Sequence, residues 1–149
     1  MKVIEYFSAE HKEYWLSKIK ASDWDAGQYL HRLLKEQMLG ELVGPRAEVL
    51  LLVDGQELIS FCTLADKDDI QPTELGPWVG WMYTFPTHRG HRYAGRLLRH
   101  AEELAKADGA DTVYISTNHV GLYETYGYEF LRIMKDIDGQ DSRVYVKYL

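Results

Sequence analysis

Apolar residues recur every three or four positions in three long stretches of the chain, a spacing that predicts amphipathic helices. The clearest stretch runs from Tyr93 to Ala107 and is followed by Gly109, a residue typical of helix ends. The two others lie near the N-terminus. One runs from a cap at Ser8 to Lys20, and the next from a cap at Ser22 or Asp23 to Gly40.

Shorter apolar runs bounded by turn residues predict strands. They are Lys2 to Tyr6, Ala47 to Val53, Glu57 to Leu64, Trp78 to Phe85, Thr112 to Ser116, Tyr128 to Lys135 and Arg143 to Leu149. Asp54-Gly55 and Asp138-Gly139 are hairpin signals, so the strands beside them are expected to be antiparallel. A short helix is expected from Val120 to Tyr126, capped by Asn118 and ended by Gly127, and the polar stretch Ala65 to Pro77 is expected to be a loop.

The order of these elements predicts a mixed sheet. The strand, helix and strand between Trp78 and Ser116 require a right-handed parallel crossover, whereas the hairpins on either side are antiparallel. The fold class is therefore α/β or α+β. A length of 149 residues matches one domain, so residues 1–149 are expected to form a single domain.

Composition and charge narrow the function classes. A formal net charge of -6 argues against a nucleic-acid partner, because such proteins present broad basic surfaces. No segment resembles a secretory signal or a membrane span, so we expect a cytoplasmic protein with no membrane partner. The single cysteine, Cys62, excludes an intramolecular disulfide and is interpreted as a packing residue; the six histidines form no zinc motif, so no metal is predicted.

The segment from Thr87 to Arg96 has the features of a phosphate-binding loop. It lies between a predicted strand and the first turn of a predicted helix, where unpaired N–H groups and the helix dipole favour an anion. Gly90 and Gly95 would allow close approach, and Arg89, Arg92 and Arg96 carry charges suited to phosphate oxygens. The alternative is a tight turn followed by a solvated helix face.

Two motifs carry a resemblance to a known family. Arg89-Gly90-His91-Arg92-Tyr93-Ala94, followed by Leu97-Leu98, resembles the pyrophosphate-binding motif of the GNAT superfamily of acetyl-CoA-dependent N-acyltransferases, except that Arg92 stands where a glycine is usual. The segment from Asn118 to Tyr128 is similar to the family's Asn, spacer, Leu-Tyr-Glu, two residues, Gly-Phe segment. The resemblance is specific from about Trp78 to Phe130 and covers the whole chain only as an order of elements.

The resemblance implies a GNAT-like fold and a reaction. The fold would be a mixed, mostly antiparallel sheet of six to seven strands flanked by about four helices and splayed between two central parallel strands. The reaction would be N-acetyl transfer from acetyl-CoA, a cosubstrate, to a primary amine by direct attack, with Tyr123 as the catalytic acid that protonates the departing thiolate. The implied cofactor-binding residues are Met82, Tyr83, Thr84, Phe85, Arg89, Gly90, His91, Arg92, Tyr93, Ala94, Gly95, Arg96, Asn118 and Tyr123.

Proton transfer is assigned only in part. An unperturbed tyrosine would protonate a thiolate at a cost of roughly 2 kcal/mol. The strand Trp78 to Phe85 carries no carboxylate where many family members have a glutamate, so the sequence does not identify the general base. Glu74, Asp68, Asp69 and His119 are candidates, each interpreted first as a solvated surface residue, and a water chain is equally compatible.

The acceptor is expected between the segments Ser22 to Tyr29 and Asp66 to Trp78, the side that the family uses. Their acidic residues would attract a cationic amine, and Trp24 and Trp78 would form an apolar wall. The acidic residues are Asp23, Asp25, Asp66, Asp68, Asp69 and Glu74. A small molecule or a peptide amine is compatible, and a homodimer stays open. The competing hypotheses are an acyl-CoA sensor without catalysis and a structural interaction domain.

Overall fold

Seven strands form one sheet in the computed structural model, which describes residues 1–149. The strands are β1 (Lys2–Glu5), β2 (Ala47–Asp54), β3 (Glu57–Ala65), β4 (Trp78–Thr84), β5 (Thr112–Thr117), β6 (Glu129–Lys135) and β7 (Asp141–Tyr148). Their order is β1-β2-β3-β4-β5-β7-β6. Only β4 and β5 are parallel, and every other neighbouring pair is antiparallel. The predicted mixed, mostly antiparallel sheet is confirmed.

The two parallel strands part soon after they meet. Trp78 pairs with Tyr114 and Val79 with Ile115, and no further pair follows although β4 continues to Thr84. The sheet is therefore open between the second half of β4 and the end of β5. This opening is the predicted splay.

Four α-helices flank the sheet: α1 (Lys12–Lys20), α2 (Asp25–Lys35), α3 (Leu39–Val43) and α4 (Tyr93–Ala107). The prediction for α4 is confirmed at both ends. The start of the first helix at Ser8 was wrong, because Tyr6–Ser8 is a separate 3-10 turn. The continuous second helix was also wrong, because Gln37 takes a left-handed φ of 58° and separates α2 from α3.

The helix expected from Val120 to Tyr126 is only a 3-10 turn, Tyr123–Tyr126. Leu122 precedes it without a side-chain cap, so Asn118 does not cap this turn. The local support comes instead from the Glu124 carboxylate, which accepts the N–H of Gly121 at 3.0 Å. This turn connects β5 to β6 and lies beside the opening in the sheet.

The two faces of the sheet have separate cores. On one face α1 and α2 bury Ile19 and Leu30 against β2 and β3. On the other face α4 buries Leu97 and Leu98 against the same sheet. Cys62 lies fully buried in this second core, as predicted, and burial raises the pKa of its thiol. No helix is both long enough and apolar enough to cross a membrane.

A bulge in β4 sets the side chains beside the opening. The register of β3 and β4 shifts between the pair Phe61 and Tyr83 and the pair Thr63 and Gly80, and Trp81 takes a left-handed φ of 49°. The strand alternation is broken there, as a bulge requires. The Trp81 indole consequently reaches α2, where its Nε1 donates to the Ala26 carbonyl at 2.7 Å.

Candidate active site

A cavity of about 1060 Å³ occupies the opening between β4 and β5. Its wall is formed by β4, the loop that follows it, the first turn of α4, the end of β5, the Tyr123–Tyr126 turn and the start of the α2 region. Most of the predicted site residues line it. They are Met82, Tyr83, Thr84, Arg89, Gly90, Arg92, Tyr93, Ala94, Asn118 and Tyr123.

Four predicted cofactor-binding residues do not line the cavity. Phe85 packs against Phe61 and Tyr83 in the α1–α2 core. His91 stacks on Tyr93 with ring centroids 5.3 Å apart, and Arg96 points its Nη2 towards the Met1 carbonyl. Gly95 faces Tyr126, because a Cβ added to it would lie 2.7 Å from the Tyr126 ring. The reason for a glycine at position 95 is therefore the packing of Tyr126 on α4.

The loop before α4 is a cationic concave surface. Gly90 has a φ of 85° and no atom within 4 Å of an added Cβ, so its backbone faces open space. None of Arg89, Arg92 and Arg96 forms an ion pair with a carboxylate. Arg89 is oriented by its Nε, which donates to the Thr84 carbonyl at 2.9 Å. Positive charge and the N–H groups of a helix start thus converge here, an arrangement that suits phosphate groups.

Arg92, which departs from the family motif, keeps a backbone conformation typical of glycine. Arg92 immediately precedes α4 and has a left-handed φ of 59°. Glycine adopts this conformation without cost, whereas another residue is strained by roughly 1–2 kcal/mol. The backbone at this position has the shape that a glycine would adopt, and the Arg92 guanidinium lies 5.0 Å from the centre of the Tyr126 ring.

Tyr123 lies on the cavity wall and is otherwise buried. It packs edge-on against Tyr128 with centroids 6.2 Å apart, and its hydroxyl has no hydrogen-bond partner in the protein. Burial, followed by the nearby Cys62, Tyr126 and Asp68, raises the pKa of the Tyr123 hydroxyl. The phenol is therefore protonated at neutral pH and able to donate. Donation costs more than the 2 kcal/mol expected from an unperturbed tyrosine, which corrects the sequence-based estimate.

The aromatic wall on the acceptor side differs from the one expected. Trp24 lines the cavity and stacks on Tyr83 with centroids 5.4 Å apart and rings 10° from parallel. Trp78 does not line it, because the residue is fully buried and its Nε1 donates to the Leu75 carbonyl at 2.8 Å. Trp81 takes its place on the wall. The sequence contained no signal for this exchange, which depends on the bulge in β4.

The six acidic residues of the acceptor side do not act alike. Asp23 lines the cavity, Asp25 begins α2 and Glu74 is exposed. Asp66 accepts the Arg46 N–H at 2.9 Å. Asp68 and Asp69 are mostly buried, which overturns their interpretation as solvated surface residues. His119, the remaining base candidate, is exposed at the cavity rim.

The family comparison agrees with this geometry. A model of the acetyltransferase (GNAT) family matches residues 4–128. The chain belongs to the GNAT family of acetyltransferases. No curated protein matches the chain in sequence.

Solved structures share the fold over nearly the whole chain. An aminoglycoside 6'-N-acetyltransferase complexed with coenzyme A is similar at 16% identity and a TM-score of 0.69, covering 99% of this chain and 97% of that chain. An aminoglycoside 6'-N-acetyltransferase from Enterococcus faecium is similar at 14% identity and a TM-score of 0.69, with the same coverage of both chains. A GNAT acetyltransferase from Elizabethkingia anophelis with acetyl-CoA bound is similar at 14% identity and a TM-score of 0.67, covering 99% of this chain and 97% of that chain. These likenesses establish the fold.

No three His, Cys, Asp or Glu side chains are grouped so as to hold a metal ion. The independence of the reaction from metals stays a prediction.

Proposed function

We propose that the protein transfers an acetyl group from acetyl-CoA to a cationic primary amine by direct attack within a ternary complex. The observation that carries the proposal is the cavity between β4 and β5, which joins the unpaired arginines before α4 to the buried Tyr123. One end of this cavity suits the pyrophosphate of acetyl-CoA and the other suits its thioester.

The phosphate end is supported by charge and by space. Arg89 and Arg92 have no carboxylate partner, and Gly90 leaves room beside the start of α4. The Arg89 guanidinium also lies 5.5 Å from the Tyr83 ring centre, which holds its position. The chain is acidic overall, so this local positive charge favours a specific anion.

The thioester end is supported by the free edge of β4. Beyond Val79 this edge has no strand partner, so its backbone groups face the cavity. The N–H of Phe85 is already bonded to the Ile59 carbonyl at 3.0 Å. Alternation along the strand then directs the N–H group of Thr84 towards the cavity, where it suits a pantetheine amide or the oxyanion.

The acceptor class follows from the opposite wall. Trp24, Trp81 and Tyr83 present aromatic surface beside Asp23. A cation is attracted to the faces of aromatic rings and to a nearby carboxylate. An aminoglycoside, the substrate named for two of the structural neighbours, is one member of this class of amines.

In the reaction, the neutral amine attacks the thioester carbonyl, and a C–N bond forms. As the C–S bond breaks, the Tyr123 hydroxyl donates its proton to the departing sulfur. The test is Tyr123→Phe, which keeps the ring against Tyr128 and removes only the hydroxyl. We expect acetyl-CoA affinity and melting temperature to stay unchanged while the transfer rate falls by roughly 10²- to 10⁴-fold.

The matched control is Tyr148→Phe, since Tyr148 is 66% exposed near the C-terminus and lies outside the cavity. Tyr126→Phe is less suitable because Tyr126 lines the cavity and covers Gly95. A full transfer rate in Tyr123→Phe, with the chemical step shown to limit turnover, would remove the acid role from Tyr123.

A further inference from the structure

Two adjacent carboxyl groups are buried beside the cavity without any cationic partner. Neither Asp68 nor Asp69 takes part in an ion pair. The Asp69 Oδ1 is sealed from solvent and accepts no hydrogen bond. The polar contacts of the Asp68 carboxyl are with the backbone and carboxyl of Asp69. Burying two acids together is costly, so the arrangement calls for an explanation beyond stability.

The pair lies where β4 and β5 separate. A Cβ on Gly80 would overlap the Asp68 carboxylate, so Asp68 occupies the space that a side chain at position 80 would fill. Asp69 lies beside the Ser116 hydroxyl. Gly80 and Ser116 are the first residues beyond the last paired positions, Val79 and Ile115, and both line the cavity. The Asp68 carboxyl itself does not line the cavity, but it lies against Gly80, which does.

The loop holds this pair rigidly. The Lys67 N–H donates to the Val43 carbonyl at 2.9 Å, and the Gln71 side-chain amide donates to the Asp68 carbonyl at 2.8 Å. The Ile137 N–H donates to the Asp69 carbonyl at 2.8 Å, and Ile70 is buried directly after the pair. A general base requires such fixed placement.

A purely structural carboxylate looks different in this protein. Asp66, in the same loop, accepts the Arg46 N–H at 2.9 Å and so fastens the loop to the start of β2. Asp68 fastens nothing outside its neighbour. The same loop therefore contains Asp66, whose carboxylate makes a structural hydrogen bond, and Asp68, whose carboxyl lies beside the cavity without one.

The electrostatic surroundings suit proton exchange near neutral pH. Burial, then the charge of Asp69, raises the pKa of Asp68 to about 7. The pKa of Asp69 is also raised, by burial and by the charge of Asp136, against a lowering contribution from Ser116. Tyr123, on the far side of the opening, is the other titratable group influenced by Asp68. A base is most effective when its pKa lies near the working pH.

We propose that Asp68 is the catalytic base that takes a proton from the acceptor ammonium, and that Asp69 is the residue that positions it. The inference rests on the proposed function. The ammonium gives one proton to Asp68 through a water, because Asp68 does not line the cavity itself, and the resulting amine attacks the thioester. The second nitrogen proton replaces the one that Tyr123 gives to sulfur, and Asp68 returns its proton to solvent. The products are the amide, coenzyme A and one proton.

The experiment measures acetylation of a panel of primary amines, containing a polyamine and an aminoglycoside, at pH 5.5 to 9. The wild type should show a limb in kcat/KM that rises with pH. Asp68→Asn should lower kcat/KM by about 10²- to 10⁴-fold and abolish that limb, with acetyl-CoA affinity unchanged. Asp69→Asn should move the limb to lower pH, because it removes the neighbouring negative charge. Glu129→Gln, an exposed acid on β6 outside the cavity, is the control and should behave as wild type.

A wild-type rate and limb in Asp68→Asn would overturn the inference and leave the proposed function intact. If the wild type acetylates no amine of the panel, the proposed function fails, and the inference with it.

A second pair of variants tests the position of the Asp68 carboxylate. Asp68→Gly should be slow, and Asp68→Gly combined with Gly80→Asp should recover at least tenfold, because it returns a carboxylate to the same space. No recovery in a double variant that melts normally and binds acetyl-CoA would also count against Asp68.

Discussion

Replacing Asp68 by asparagine should stabilise the protein at alkaline pH. The carboxyl has an ordinary value of 3.8 in the unfolded chain, and its pKa is raised to about 7 in the fold, chiefly by burial. Between these two values the unfolded state releases a proton that the folded state keeps. The Asp68 carboxyl therefore does not lower the unfolding free energy of the wild type below about pH 4. The unfolding free energy falls as the pH rises towards 7 and stays at the lower value above it.

The size of the effect follows from the difference in pKa. About three pKa units correspond to on the order of 4 kcal/mol, an upper limit because Asp69 shares the titration. Asparagine has the size of the protonated acid and does not ionise. Between pH 5 and pH 8, we expect Asp68→Asn to gain on the order of 2 kcal/mol in unfolding free energy relative to wild type. That gain is about 4–8 °C in melting temperature for a chain of this length.

Urea denaturation and thermal melting of both proteins at pH 5, 6, 7 and 8 measure this gain. Glu74→Gln is the matched control and should track wild type at every pH, since its carboxyl is exposed. A constant difference between Asp68→Asn and wild type would mean that folding does not raise the pKa of the Asp68 carboxyl. A loss of stability in Asp68→Asn that grows with pH would mean that the fold favours the ionised carboxylate, and either result would contradict the prediction.

Two further predictions concern the loop before α4. Coenzyme A at about a hundred times its dissociation constant should stabilise the protein by roughly 2.7 kcal/mol. Arg89→Ala should lose most of this stabilisation. The control Arg132→Ala, at an exposed position on β6, should keep it. An unchanged melting temperature of the wild type in millimolar coenzyme A would contradict the binding of coenzyme A by this loop. Arg92→Gly should leave the unfolding free energy unchanged or raise it by up to about 1 kcal/mol, because glycine adopts the left-handed conformation freely, whereas Arg92→Ala keeps the strain. If urea denaturation shows Arg92→Gly to be less stable than Arg92→Ala, the backbone of Arg92 is not strained.

The elements that the sequence predicted well are those with strong local signals. The helix Tyr93–Ala107 has a long apolar period and a glycine after it. The signal at Asp54-Gly55 marks the hairpin between β2 and β3, although Asp54 still pairs with Glu57 and the turn itself is Gly55-Gln56. The crossover between Trp78 and Ser116 then made β4 and β5 parallel, as the structure confirms. The break between α2 and α3 was missed because Gln37, at φ 58°, is not a residue that usually marks a helix end.

Ten of the fourteen cofactor-binding residues implied by the family resemblance line the cavity, and their binding of acetyl-CoA stays a prediction. The acceptor side depends on contacts between distant segments and was predicted less well. Trp81 replaces Trp78 because of a bulge, and Asp68 is buried because Gly80, twelve positions later, leaves room for its carboxylate. Neither relation has a signature in the sequence around the residue concerned.

Product formation tests the proposed acetyl transfer most directly. The protein, dialysed against a chelator, is incubated with acetyl-CoA and a mixture of primary amines, and the mixture is examined by mass spectrometry. We expect an amine that gains one acetyl group in step with the release of free coenzyme A thiol, with no need for added metal. Tight binding of acetyl-CoA with no acetylated amine would contradict it and favour a sensor of acyl-CoA, and activity that returns only with zinc would contradict the metal-free chemistry.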